Sequence, residues 1–78
     1  MPDQYVGAFK IRFSTAEEAQ TAAPKIVLAG QIQATAVGRV VNIDVATGGN
    51  SRAGRKGILD QRLQAQGITG HQYISQGD

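Results

Sequence analysis

Residues 31–47 read QIQATAVGRVVNIDVAT, two alternating runs on either side of a Gly-Arg pair. With Gly38 and Arg39 as a two-residue turn, Val37 faces Val40, Ala36 faces Val41, Ala34 faces Ile43 and Ile32 faces Val45. The same register sets Thr35 opposite Asn42 and Gln33 opposite Asp44, so one face is apolar and the other polar. A slip of one residue would destroy that segregation. Glycine at the first turn position fits a type II′ hairpin, whose twist matches that of the flanking strands.

Upstream, Tyr5, Gly7, Phe9, Ile11 and Phe13 alternate with Val6, Ala8, Lys10, Arg12 and Ser14, the period of a strand with one face on a core. Lys10 and Arg12 then join the open, polar face. Ser14, Thr15, Ala16, Glu17 and Glu18 read as a helix start, with a hydroxyl to accept from free N–H groups and acids at the positive end of the helix dipole. Apolar residues follow at helical spacing. Pro24 removes a donor there and predicts a kink or break near Ala23, and Gly30 reads as the stop. Downstream, residues 47–51 break the pattern. Ile58, Leu59 and Leu63 then form a helical stripe that Gly67 closes. The cost of Gly54 and Gly57 in a helix, about 1 kcal/mol each, predicts a regular helix only from Gly57 onward, with a looser turn before it. Ile68 to Ser75 reads as a weak final strand.

The order strand, helix, strand, strand, helix, strand predicts an α+β fold. Two right-handed crossovers of that order give a ferredoxin-like βαββαβ sandwich, a four-stranded antiparallel sheet with two helices on one face. The 78 residues leave room for one core and one domain, spanning 1–78. Cysteine is absent, so neither disulfides nor thiolate metal sites are available, and self-association into a homodimer is a ready source of added stability. No apolar run is long enough to span a membrane, and the first residues lack the basic-then-apolar layout of a signal peptide. A cytoplasmic protein without membrane contact is the expectation.

Catalysis finds little support in the residues. His71 is the single histidine, and no motif surrounds it to supply a nucleophile or an orienting group. Asp3, Asp44, Asp60 and Asp78 are scattered, without metal-ligand spacing. Glu17 and Glu18 are adjacent and point to different parts of a helix surface. The glycine loop ending in arginine, used by acyl-phosphate hydrolases of the expected topology, has no counterpart where Ser14, Thr15 and Ala16 follow the first strand. The chain is expected to be no enzyme and to carry neither cofactor nor metal.

Binding is the better supported class. Five of the eight basic residues, Arg39, Arg52, Arg55, Lys56 and Arg62, lie between positions 39 and 62, against Asp44 and Asp60. Residues 48–57, GGNSRAGRKG, combine glycines, positive charge and a following helix, which suits an anion site, although they match neither the P-loop nor the dinucleotide fingerprint. Arg52, Arg55 and Lys56, with Arg39 at the hairpin tip, are therefore the candidate contacts to an anionic partner, with nucleic-acid phosphates as the first expectation. RNA-recognition modules of the expected topology stack bases on sheet aromatics; here Tyr5, Phe9, Phe13 and Tyr73 do not make such a platform, so binding should be led by the phosphate backbone. The alternative is a protein interaction module, inhibitor or adaptor using the open face of Lys10, Arg12, Gln33, Thr35, Asn42 and Asp44.

Overall fold

A computed structural model describes residues 6–74. In chain order the elements are β1 (Ala8–Arg12), α1 (Ala16–Ile26), β2 (Ile32–Val37), β3 (Val40–Val45), α2 (Arg52–Ala65) and β4 (Gln72–Ile74). The strands form one sheet in the order β2-β3-β1-β4, and every neighbouring pair is antiparallel.

The central hairpin has the register its sequence dictates: Val37 pairs with Val40, Ala36 with Val41, Thr35 with Asn42, Ala34 with Ile43, Gln33 with Asp44 and Ile32 with Val45. Gly38 turns at φ 61°, a value that is unstrained for glycine and opens a II′ turn. Phe9, Ile11, Ile32, Val41, Ile43 and Val45 carry the apolar face of the sheet into one cluster, where Ala19, Ala22, Ala23 and Ile26 of α1 and Leu59 and Leu63 of α2 meet them. All of these side chains are buried, and their removal from water is the main force holding sheet and helices together.

Four elements differ from the sequence-based expectation. The helix α1 passes through Pro24 and ends at Ile26. Thr15 starts it, accepting the Glu18 N–H at 3.1 Å. Because Pro24 sits near the exposed carboxyl end, it interrupts few helical bonds; the Val27 N–H still reaches the Ala23 carbonyl at 3.3 Å. Gly30 lies beyond the helix, in the turn into β2.

Second, α2 begins at Arg52, five residues before Gly57, so the last six residues of the 48–57 segment are helical. Ser51 accepts the Gly54 N–H at 3.0 Å, and this cap, with the tertiary bonds of Arg52 and Arg55 described below, offsets the low helix propensity of the two glycines. Gly67 does close α2: at φ 69° it lets the Ile68 N–H return to the Leu63 carbonyl at 2.9 Å. Third and fourth, within the described residues the last strand takes in residues 72–74 and not 68–71, and the first takes in residues 8–12 and not 6, 7 or 13. Tyr5 and Ser75, expected at their ends, lie outside the described residues.

Candidate functional site

Once α2 starts at Arg52, helical periodicity decides where its basic side chains go. Arg55, Ile58, Leu59, Arg62 and Leu63 share one stripe, at spacings of three and four. Leu59 and Leu63 are buried, and Arg55, Ile58 and Arg62 are half-buried beside them. Arg55 donates from Nε to the Gly49 carbonyl at 2.8 Å and from Nη1 to the Val45 carbonyl at 2.9 Å, fastening the 48–51 loop to the end of β3. Arg62 donates to the Ile26 carbonyl at 3.4 Å and the Val27 carbonyl at 3.0 Å, closing the carboxyl end of α1.

The adjacent row, Arg52, Lys56 and Asp60, is directed at β1 and β4. Arg52 donates to the Ala8 carbonyl at 2.7 Å and lies over the Phe9 ring at 4.3 Å. Lys56 pairs with Asp60 at 3.3 Å and stands 4.4 Å above the Tyr73 ring. The Tyr73 hydroxyl donates to Asp60. Burial, reinforced by that bond and by the charge of Asp60, pushes the Tyr73 phenol well above its usual value near 10. Arg52, Arg55 and Lys56 thus each have intramolecular partners in this structure, tying α2 to the sheet and to the preceding loop.

His71 is half-buried, with its ring centroid 6.1 Å from that of Phe13 and 6.0 Å from that of Tyr73. Its Nδ1 has no hydrogen-bond partner among the described residues. Phe9 completes this aromatic group, edge-on to Tyr73 at 6.4 Å. No aromatic side chain occupies the opposite face of the sheet among the described residues, because Phe9, Phe13 and Tyr73 all belong to the core side.

That opposite face follows directly from the strand register. Lys10, Asn42 and Thr35 form its middle row, with Ile74 beside Lys10; Ala8, Asp44 and Gln33 form the row at one end; Gln72, Arg12, Val40 and Val37 form the row at the other. A shallow depression of about 340 Å³ lies over Lys10, Gln33, Thr35, Asn42 and Asp44. Charge is unevenly placed on this face. Asp44 stands at one end, and Arg12 at the other, where the hairpin tip brings in Arg39.

At the basic end Arg12, Phe13, Ser14, Arg39, Gly70 and Gln72 line a polar notch of about 330 Å³. No carboxylate is among them. The Phe13 N–H donates to the Arg39 carbonyl at 2.8 Å, which locks the hairpin tip against the end of β1. The Arg12 guanidinium makes one long bond, 3.4 Å, to Gln72 Oε1; the Arg39 side chain makes no hydrogen bond or ion pair among the described residues. Of the four candidate anion contacts, only Arg39 therefore has a side chain clear of hydrogen-bond and ion-pair partners among the described residues, and Arg12 lines the same notch. Their proximity depends on pairing between β3 and β1, which chain separation conceals.

Comparison with protein-family models, with curated proteins and with solved structures returns no match. Among the described residues no group of three or more His, Asp or Glu side chains is placed to hold a metal ion, and no helix is long and apolar enough to cross a membrane.

Proposed function

We propose that this chain is a small non-enzymatic binding module, a ferredoxin-like βαββαβ sandwich that contacts the phosphates of a nucleic acid through the basic end of its open sheet face. The observation that carries this reading is the notch shared by Arg12 and Arg39, with the Ser14 and Gln72 side chains beside them and no carboxylate in its lining. Two guanidinium groups with spare donors suit a phosphodiester, which accepts paired N–H bonds. Lys10, one row further along the face, extends the positive track. Since the face holds no aromatic among its described residues, recognition runs through the backbone and is tolerant of base sequence.

The test is anisotropy of a labelled oligonucleotide, single-stranded and duplex, measured over stepped salt. Affinity is expected to fall steeply with salt. The Arg12→Ala/Arg39→Ala double variant should bind at least about tenfold more weakly and reduce the logarithmic salt slope by roughly 0.7 to 0.9 for each phosphate no longer neutralised. An affinity indifferent to salt, or unchanged in the double variant, overturns the reading. One observation favours a protein partner on this face instead: Val37 is 60% exposed next to Val40. Salt-independent binding of a protein, weakened by Val37→Asp, would select that alternative.

A further inference from the structure

Antiparallel strands exchange main-chain hydrogen bonds at alternate residue pairs. The two-residue turn makes Val37 and Val40 such a bonded pair. At the far end of the hairpin the Ala46 N–H donates to the Gln31 carbonyl at 2.7 Å, in the same phase. Val37, Thr35 and Gln33 therefore direct their N–H and C=O groups to β3, and Ala36, Ala34 and Ile32 direct theirs outward, because β2 is the end strand of the sheet. Ile32 is satisfied there. It donates to the Leu28 carbonyl at 2.8 Å and accepts the Leu28 N–H at 2.9 Å. The outward groups of Ala34 and Ala36 have no partner among the described residues.

Natural sheets guard such an edge with lysine, proline, a bulge or a covering segment. Here the covering segment stops at Leu28. The strand IQATAV contains no charge, proline or glycine, and the methyl groups of Ala34 and Ala36 are too short to screen their own backbone.

We propose that residues 33–37 of β2 dock a second copy of this chain, whose same residues pair with them antiparallel about a twofold axis at Thr35, Ala34 of each copy opposite Ala36 of the other, and continue the sheet across both copies. Ala34 and Ala36 each present a donor and an acceptor, so an isologous pairing satisfies both copies at once. Charge selects the antiparallel sense. Arg39 lies at one end of β2 and Asp44, opposite Gln33, at the other; antiparallel pairing sets each basic tip beside the acidic end of its partner, whereas parallel pairing sets like ends together.

Sedimentation over a wide concentration range and amide hydrogen exchange test this together. The apparent mass is expected to rise from 8.2 kDa toward twice that value, with the Ala34 and Ala36 amides becoming protected in step and the Thr35 amide protected throughout. Ala36→Pro removes one outward donor at an edge position where proline is tolerated, and Thr35→Lys sets two like charges face to face across the axis; each should leave a folded monomer, and if the proline variant does not fold the lysine variant still decides. A wild-type chain that stays monomeric at millimolar concentration overturns the proposal. So does a dimer that survives Thr35→Lys with the Ala34 and Ala36 amides exchanging freely. Oligonucleotide binding by monomeric Ala36→Pro, which leaves every open-face side chain in place, keeps the two proposals separable.

Discussion

Arg55 and Arg39 have the same side chain and different situations. Arg55 is half-buried and bonded to two carbonyls, and hydrogen bonds from a charged donor in such a setting contribute appreciably because the carbonyls are left unanswered when it is removed. Arg55→Ala should therefore destabilise the fold by about 2 kcal/mol, and Arg39→Ala should leave the melting temperature nearly unchanged; paired thermal melts check both. Tyr73 yields a pH prediction. Its phenol keeps its proton in the folded chain beyond the usual value near 10, whereas the unfolded chain releases it there. The contribution of Tyr73 is thus complete below pH 10 and is lost as pH rises through the folded value. Melts between pH 8 and 11 should show wild type losing more stability on the alkaline side than Tyr73→Phe, and equal losses would contradict the assignment.

At the scale of elements, the two helices depart from local expectation for opposite reasons. In α1 an unfavourable residue is tolerated because it stands on the exposed side, two residues from the last helical one, while Ala19, Ala22, Ala23 and Ile26 face the core. Pro24→Ala should consequently raise stability by about 1 kcal/mol or more, a rise of roughly 4 to 8 °C in a domain of this size; a lowered melting temperature would mean that the proline shapes the entry to β2. In α2 the glycines are carried by a cap and by arginine bonds to neighbouring strands. The stripe that includes Arg55 and Arg62 is legible only for a helix that begins at Arg52; counted from Gly57, it contains Ile58, Leu59, Arg62 and Leu63 and omits Arg55.

At the scale of the molecule, the sheet divides the chain's chemistry between two sides. Among the described residues the aromatic rings, His71 and most of the α2 cations are on or against the helix side, where they stabilise the packing. The open side retains Lys10, Arg12, Gln33, Thr35, Asn42 and Asp44, with Arg39 at its margin. The proposed nucleic-acid contact uses the basic end of this side and the proposed dimer uses its β2 edge, with Arg39 near both, so Arg12→Ala should weaken the salt-dependent binding and spare the concentration-dependent mass, and Ala36→Pro should do the reverse.

The sequence by itself determined the hairpin and both of its faces, since alternating side chains over two runs and a glycine at the turn admit one register that keeps every apolar residue on one side. It also determined the strand and helix order and the polar composition of the open face. Tertiary structure alone decided the fate of the charges. Arg52, Arg55 and Lys56 are neighbours in sequence and look like an anion cradle, but a helix capped by Ser51 turns them toward carbonyls, rings and a carboxylate of the fold. Arg12 and Arg39 are 27 positions apart and become neighbours because β3 pairs with β1. Local periodicity specifies the direction of a side chain within its own element; which partner waits there depends on strand pairing and helix docking between distant segments.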